Sequence, residues 1–335
     1  MVKYLMNIRL FDTATNTTAE MTVEMKTFYS DYLIDNAEPY LVHDQFAQKH
    51  NIPKNGGKTI EFRKYTALPK ATTPLTEGVT PDGQKLTVTK VEATVSQYGG
   101  WVQLPDMLLL TAIDNNMVQA TKLLGSQAGR TMDTITREVL NAGTNVWYAP
   151  AGDTAVTSRA NIAVNSLVTV DLIMKVAAEL KAQNAEKIDK SYVAIIHPYV
   201  AYDLMKSDQW LELVKYSTPE KAFNGEIGKI GSVRFVETSE AKIWEAAGAA
   251  HSTGDSTKVS VFSTIVLGAN AYGTTNIEGG GLEHIIKQLG SAGTADPLNQ
   301  RASAGWKATR TAVILSPEYM IRIESTSEFS KAAAN

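Results

Sequence analysis

The stretch GKTIEFRKYTALPKATTPLTEGVTPDGQKLTVTKVEATVSQYGGW, residues 57–101, decides how this chain folds. It begins with a strand-like run at 58–65 and returns as a second strand-like run from 86 to 102. Between the two runs, Pro81-Asp82-Gly83 suits a turn, because proline presets the first turn dihedral and glycine accepts the left-handed one. The pattern predicts a long β-hairpin.

A hairpin of only two strands is marginally stable in water, because neither of its faces is covered. The sequence offers no spare element whose pattern would cover this one. Contacts from outside the hairpin are therefore needed to hold it. At this stage they could come from the same molecule or from a neighbouring copy.

Composition sets the outer limits. The 335 residues suffice for about two domains, and 44% hydrophobic residues can fill a sizeable core. The absence of cysteine excludes disulfides and thiolate metal sites. A net charge of −3 predicts no whole-chain attraction to nucleic acid or anionic lipid, although a local basic patch remains possible.

The N-terminal residues do not read as an export signal, because Asn7 and Arg9 interrupt the apolar run. The best candidate for a membrane span, 259–272, contains several polar residues and falls short of the roughly 18 apolar residues required. We expect a soluble protein that does not contact a membrane.

Two segments precede the hairpin. Residues 12–27 are rich in threonine and predict an extended arm. From Ser30 onward, apolar residues recur at helical spacing until Asn51 and Pro53, which predicts an amphipathic helix. Acidic residues on that helix are expected to form a solvated face.

The helical pattern is clearest after the hairpin, from residue 105 to 143, where it predicts a long spine helix. Asp114-Asn115-Asn116 is expected to separate its first turns from the rest. A further helix is predicted at 169–183, and Pro198 suits the first position of another. Strands are predicted at 192–197, 233–237, 258–267, 283–289, 306–315 and 318–324, with a loop at 290–301 and a frayed tail from Ser325.

Catalytic and metal-binding motifs are weak. Gly57-Lys58-Thr59 lacks the leading glycine of a phosphate-binding loop and precedes a strand. Ser239-Glu-Ala-Lys242 matches a nucleophile pattern that is frequent by chance. The five histidines never occur at metal-ligand spacing. His197, which ends a buried strand, is the best candidate for a catalytic group, but packing or helix capping is the favoured interpretation.

Other segments carry a resemblance to a known family: Gly99-Gly-Trp-Val-Gln-Leu-Pro-Asp106, His197-Pro-Tyr-Val-Ala-Tyr-Asp-Leu204, 223–240 and Gly293-Thr-Ala-Asp-Pro-Leu-Asn-Gln-Arg301. The chain resembles the major capsid protein of tailed bacteriophages, whose shell fold is shared with herpesvirus capsid floors. Within that family it is similar to the branch typified by podoviruses of the N-four type. The resemblance extends over roughly residues 30–325.

The resemblance implies an α+β capsid shell fold. Its parts would be an N-terminal arm with a short helix (1–56), an extended β-hairpin loop (57–104), a peripheral domain (105–184 and 276–325) with its spine helix at 105–143, an axial α/β domain (185–275) and a tail (326–335). The hairpin face with Ile60, Phe62, Leu86 and Val88 is expected to lie on an adjacent subunit.

The implied function is structural and not enzymatic. Copies would assemble as hexamers and pentamers into an icosahedral shell around packaged double-stranded DNA, in a virion whose subunits are made in the host bacterial cytoplasm. Besides itself, the protein would meet a portal. Scaffolding, where assembly uses it, would come from a separate protein, since the helical, charged scaffolding segment of some relatives is not recognised here. No cofactor or metal is expected. No lysine–asparagine crosslinking pair is evident, so we expect noncovalent closure.

Two alternatives stay open. One is a shell of the same fold that encloses cargo enzymes, as in encapsulin nanocompartments; the long N-terminal arm favours the viral interpretation. The other is a soluble α/β enzyme with a site near His197 and the loop at 225–231.

Overall fold

The computed structural model describes residues 42–80, 82–111, 116–207, 209–210, 228–252, 255–291, 293 and 296–330. The predicted extended arm and the first part of the predicted helix from Ser30 lie outside these residues. The chain divides into two compact units. The first contains Tyr98–Gly129 and Leu282–Ala308, and the second contains Leu41–Gln97, Arg130–Gly281 and Thr309–Asn335.

The described helices are α1 (Asp106–Thr111), α2 (Asn116–Asn141), α3 (Val170–Ala182) and α4 (Pro198–Lys206). The described strands are β1 (Gln48–Ile52), β2 (Thr59–Tyr65), β3 (Val88–Thr94), β4 (Ser96–Pro105), β5 (Val146–Tyr148), β6 (Tyr192–Ile196), β7 (Lys229–Ile230), β8 (Val233–Glu237), β9 (Ile243–Trp244), β10 (Ala250–Ser252), β11 (Asp255–Lys258), β12 (Val261–Leu267), β13 (Tyr272–Ile277), β14 (Glu283–Lys287), β15 (Arg301–Ile314) and β16 (Met320–Ser325). Short 3₁₀ turns occupy Arg159–Asn161 and Pro317–Tyr319.

A seven-stranded mixed sheet forms the core of the second unit, in the order β5-β16-β12-β6-β8-β7, with β9 also pairing with β12. Strands β6, β12 and β16 are buried along their whole length, as expected for central strands covered on both faces. β8 runs parallel to β6, and β16 runs antiparallel to β12. The predicted strands at 192–197 and 233–237 are confirmed.

Helix α3 packs against this sheet and confirms its prediction closely. The Thr169 hydroxyl caps it by accepting the Leu172 N–H at 3.2 Å, which satisfies one of the free donors of the first turn. The apolar face predicted from periodicity is buried: Leu172, Ile173, Val176, Ala177 and Leu180. Helix α4 begins at Pro198, also as predicted.

The predicted helix from Ser30 to Asn51 is wrong in its described part. Residues 43–46 form a turn, and Gln48–Ile52 is a strand that runs parallel to β13, with Gln48 opposite Gly273 and Ile52 opposite Ile277. Pairing with a strand more than two hundred residues away overrides the local helical pattern, because the ladder satisfies the backbone groups of the whole segment.

Buried polar contacts fix the turn before β1. The backbone N–H and ring Nδ1 of His43 meet the two carboxylate oxygens of Asp133 at 2.8 and 2.6 Å, and Asp44 pairs with Arg310. The Tyr272 hydroxyl donates to the His43 carbonyl. Burial, with the nearby Asp44 and Asp133 carboxylates, raises the pKa of Tyr272. The network ties the chain entering β1 to α2 and β13.

The first unit contains a ladder of β14 with the first half of β15, from Glu283 opposite Lys307 to Lys287 opposite Ser303, and β4 also pairs with β15. Strand β15 therefore starts at Arg301, five residues before the predicted start at Trp306. The loop pattern misled here because pairing with β14 and β4 stabilises a stretch rich in small residues. The spine is found as α1 and α2, with 112–115 outside the described residues.

The C-terminal segment is not frayed at 326–330, which corrects the predicted tail. Thr326, Ser327 and Ser330 are buried. The Ser260 N–H donates to the Ser330 carbonyl at 2.7 Å. The predicted strand at 258–267 is interrupted here, because β11 ends at Lys258 and β12 begins at Val261. Asp203 of α4 accepts the N–H of Glu328 at 3.1 Å, and burial raises the pKa of this carboxyl. Residues 326–330 therefore connect α4 to the end of the central sheet.

Candidate assembly surface

The hairpin predicted at 57–101 is present as the antiparallel pair β2 and β3, from Thr59 opposite Thr94 to Tyr65 opposite Val88. The ladder is extended at both ends, by a hydrogen bond from the Val95 N–H to the Lys58 carbonyl at 2.8 Å and from the Thr66 N–H to the Thr87 carbonyl at 3.0 Å. Because directly opposite residues share a face and successive residues alternate, this register assigns every side chain to one of two faces.

The inward face, defined here by Ile60, Phe62, Lys64, Val91 and Ala93, contacts the hairpin's own unit. The Phe62 ring lies 5.2 Å from the His50 ring of β1 in an edge-on arrangement, and Ala93 is buried. Ile60, Phe62 and Val91 are half-buried. The chain thus covers one face of the hairpin itself, which the sequence pattern did not reveal.

The outward face, defined here by Glu61, Arg63, Tyr65, Val88, Lys90 and Glu92, is exposed along its length. The predicted set of Ile60, Phe62, Leu86 and Val88 therefore does not share one face. Val88 lies on the outward face opposite Tyr65, while Ile60 and Phe62 lie on the inward face. Leu86 precedes β3 and is 64% exposed.

Charges on the outward face are organised in pairs along each strand. Arg63 donates to Glu61 at 2.7 Å, and Lys90 donates to Glu92 at 2.6 Å. The hydrogen bond from Arg63 lowers the pKa of the Glu61 carboxyl, and the bond to Glu92 raises the pKa of Lys90. These pairs are exposed and contribute little to stability, so the face is a polar surface with Tyr65 and Val88 at its distal end.

The distal part of the hairpin, residues 66–87, exposes large apolar side chains. Every described residue in it is exposed, including Leu68, Leu75, Val79 and Leu86. Leu75 is 77% exposed. Large contiguous apolar patches mark contact sites in soluble proteins, whereas single exposed apolar residues are ordinary.

A second apolar surface lies within the first unit, as a groove of about 280 Å³ lined by Gly99, Gly100, Trp101, Ile285, Ser303, Gly305 and Trp306. Glycine is required where β4 meets β15, because a Cβ on Gly305 would lie 2.9 Å from the Trp101 Cβ. The Trp306 indole N–H donates to the Gln127 side chain at 3.1 Å, which fixes the ring. Trp101 is 66% exposed at this groove.

The residues considered for catalysis have structural roles. His197 caps α4 by accepting the Tyr199 N–H at 3.1 Å, and burial lowers its pKa to about 4. The predicted capping role is therefore confirmed. Lys242 of the Ser-x-x-Lys pattern donates to both carboxylate oxygens of Glu138, at 2.8 and 3.0 Å. Gly57 leads into strand β2, whereas a phosphate-binding loop would lead into a helix.

A buried ion cluster in the second unit also has a structural arrangement. Arg159 binds the fully buried Glu324 with two hydrogen bonds of 2.6 and 2.7 Å, and Arg322 adds a third at 2.9 Å. The guanidinium of Arg159 stacks 3.7 Å from the Trp244 ring centroid. Each buried charge in this cluster is thus paired and hydrogen-bonded, an arrangement that serves structure and not acid–base catalysis.

The described part of the chain contains no cluster of three or more histidine, aspartate or glutamate side chains that could hold a metal ion. Among the described helices, none is both long enough and apolar enough to cross a membrane.

Comparisons with known proteins agree with this architecture. The capsid of Ralstonia phage GP4 is similar at a TM-score of 0.62 and 14% identity, over 84% of this chain and 87% of that one. The cyanophage Pam1 capsid matches at 0.62 and 13%, over 87% and 92%, and the mature capsid of bacteriophage PhiM1 at 0.56 and 17%, over 85% and 86%. No curated protein matches the sequence.

These likenesses define the fold, which is the α+β fold of tailed-phage capsid proteins. A family model described as phage capsid protein matches residues 109–288, more than half of the chain, and the chain belongs to that family. It is therefore a structural subunit of the virion shell, the major capsid protein of an icosahedral phage capsid, and not an enzyme. This assignment favours the viral shell over the cargo compartment.

Proposed function

We propose that this capsid subunit closes its shell by exchanging the hairpin with a neighbouring copy, in hexamers and pentamers that enclose packaged double-stranded DNA. The observation that carries the proposal is the distal hairpin: residues 66–87 expose Leu68, Leu75, Val79 and Leu86 together. Capsid subunits assemble with copies of themselves. A neighbouring copy is therefore the partner that would bury these apolar side chains.

The energetic reason for exchange is the size of the interface. A closed shell is built from many repeated contacts between copies of one subunit. Stable protein interfaces bury roughly 800 Å² on each partner. A projecting hairpin adds contact area that two compact faces would not supply, and its apolar side chains leave water when it docks.

The contacting surface would be the outward face together with the distal segment. Tyr65, Val88 and Leu86 are available on it, whereas Ile60 and Phe62 are engaged with their own unit. Of the residues first expected at the interface, Leu86 and Val88 are retained as contacts. Ile60 and Phe62 are proposed to support the hairpin from behind.

The finer assignments follow the family resemblance. We retain the division into an arm (1–56), an extended loop (57–104), a peripheral domain (105–184 and 276–325), an axial domain (185–275) and a tail (326–335), and the affiliation with N-four-type podoviruses. Supporting observations are the central sheet with α3 and α4 for the axial part, and α2 for the spine.

Partners other than the protein itself are a portal and a separate scaffolding protein, with synthesis in the host bacterial cytoplasm. A net charge of −3 would let packed DNA lie against the inner face without tight adhesion. Closure would be noncovalent.

Deletion of residues 66–84 tests the exchange. Tyr65 is the last paired residue of β2, so a short turn can replace the distal segment without removing the ladder. The variant should keep the circular dichroism spectrum and melting transition of the subunit but form no closed shells under the microscope. Leu75→Ser with Val79→Ser is a milder variant with the same expectation. Normal particles from both variants would exclude hairpin exchange.

A further inference from the structure

Lys64 lies on a face of the hairpin where an apolar residue would be expected. It follows Ile60 and Phe62 at alternate positions of β2 and lies opposite Thr89 of β3, so its side chain belongs to the inward face. A lysine on the face that meets its own unit calls for a specific partner, because a partly covered ammonium group loses hydration.

The partners of Lys64 are on the turn between β15 and β16. Its ammonium group donates to the Ser316 hydroxyl at 3.1 Å and to the Glu318 carboxylate, and it lies 5.5 Å from the centre of the Tyr319 ring. Acceptor, counter-charge and aromatic ring thus converge on one ammonium group from a turn more than 250 residues away in the chain. We refer to Lys64, Ser316, Glu318 and Tyr319 as the hairpin clamp.

The turn that receives Lys64 is held firmly by backbone bonds. The N–H groups of Leu315 and Ser316 both donate to the Ala271 carbonyl, at 2.9 and 3.0 Å, and the Gly268 N–H donates to the Tyr319 carbonyl at 2.9 Å. Ser316 itself is buried. The receiving side of the clamp therefore belongs to the rigid part of the second unit.

The charge state of the clamp is consistent with a formed ion pair. Burial by itself would raise the pKa of Glu318, but the hydrogen bond from Lys64, a backbone hydrogen bond and the positive charge of Lys64 together outweigh it, and the net result is a lowered pKa. Both side chains are about 40% exposed, at 43% and 39%, so the pair adds little to global stability. Its effect is better sought in the orientation of the hairpin.

The clamp lies at a boundary within the hairpin. On the near side, Phe62 packs on His50 and Ala93 is buried. On the far side, every described residue of 66–87 is exposed, and the hydrogen bonds found there, such as Gln84 to the Pro69 carbonyl, join hairpin residues to one another. Lys64 therefore lies between the part of the hairpin that packs on its own unit and the exposed segment at 66–87.

We propose that Lys64 is a positioning residue, which sets the direction in which the hairpin leaves its own subunit and so presents the distal segment to the next copy. The inference rests on the proposed exchange of the hairpin, since direction matters only if a neighbour receives it. Loss of the clamp leaves the subunit folded but lets the hairpin point in many directions.

A charge swap tests the clamp on the unassembled subunit. Because the chain has no cysteine, Thr76→Cys and Lys187→Cys introduce a unique pair of spin-label sites, one on the distal hairpin and one on an exposed position of the second unit. Their distance distribution is measured in the parent, in Lys64→Glu, in Glu318→Lys and in the double swap. Lys70→Glu, at an exposed lysine of the distal hairpin, is the matched control for reversing a charge.

The parent and the Lys70→Glu control should give one narrow distance peak. Each single clamp variant should lose that peak and give a broad distribution, and the double swap should restore it. Single variants as narrow as the parent, or a double swap as broad as the singles, would overturn the clamp.

Assembly yield then separates the clamp from the exchange itself. The single variants should form fewer closed particles and the double swap should recover them. If deletion of 66–84 abolishes shells while both single clamp variants assemble normally, exchange stands and the positioning role of Lys64 falls. If the deletion and the variant with Leu75→Ser and Val79→Ser both assemble normally, exchange falls, whatever the distance measurements give.

Discussion

Tyr65 lies directly opposite Val88 in the last pair of the β2–β3 ladder, on the face opposite to Ile60 and Phe62. This pairing separates the hairpin into a face that rests on its own unit and a face that is available to another molecule. Substitutions on the two faces should therefore have different effects on assembly and stability, although they lie only a few residues apart.

Replacing Tyr65 and Val88 by serine should reduce assembly without unfolding the subunit. Both side chains are largely exposed, so their removal should lower the free energy of unfolding by less than about 1 kcal/mol, the range of an exposed cross-strand pair. Assembly yield is measured by light scattering and microscopy, and stability by urea unfolding.

Phe62→Ala provides the contrast on the inward face. It removes a half-buried ring packed on His50 and should cost about 2 kcal/mol, less than the full penalty of a core phenylalanine. If the serine variants assemble normally while Phe62→Ala retains full stability, the assignment of the two faces is wrong.

Acid should destabilise the second unit through His197. Burial lowers its pKa from 6.5 to about 4, so between these values the unfolded chain binds a proton that the folded chain does not. Its contribution to stability is complete above pH 6.5 and is lost as the pH falls towards 4, in total about 3 kcal/mol at 1.36 kcal/mol per unit.

The measurement is the stability of wild type and His197→Asn across this pH range. Asparagine keeps an acceptor for the Tyr199 N–H but does not titrate, so the difference between the two proteins should shrink as the pH falls. Parallel pH profiles would show that His197 does not titrate in this way.

Removing the charge of Glu324 should be strongly destabilising. Glu324→Gln keeps the size of the side chain but leaves the buried Arg322 without its counter-charge, which typically costs about 3–5 kcal/mol. The control is Asp171→Asn, which breaks an exposed pair with Lys175 on α3 and should cost less than about 0.5 kcal/mol. Equal effects of the two changes in urea unfolding would contradict the account of the buried cluster.

The C-terminal segment at 326–330 should be needed to hold α4 in place. Phe329 stacks on Tyr199 at 4.4 Å between ring centroids, so Phe329→Ala should cost about 1 kcal/mol and speed amide exchange in α4. Met174→Ala, at an exposed apolar position of α3, should change neither quantity measurably. Unchanged exchange in Phe329→Ala would show that the segment does not brace the helix.

The parts of the fold that sequence predicted well are those with strong local signals. Helix α3 combines a capping Thr169 with an unbroken apolar face, and β6 is a continuous buried apolar run before Pro198. The hairpin strands were also recognisable, because turn residues separate two β-prone runs. In each case neighbouring residues carry the whole signal.

The parts that sequence missed depend on distant partners. Strand β1 looks like the end of a helix until β13 pairs with it, and 326–330 looks like a loose tail until Asp203 and Ser260 bind it. The face of Val88 was misassigned because register across a long connecting loop is set by the paired strands and not by counting residues. Lys64 gave a weak signal, a charge in an otherwise alternating strand.

Negative-stain microscopy of the purified protein is the most direct test of assembly into a shell, because it detects closed shells without any assumption about the hairpin. We expect uniform closed particles hundreds of ångströms across, formed by this protein or by this protein with its scaffolding partner. A monodisperse monomer under every assembly condition would contradict it.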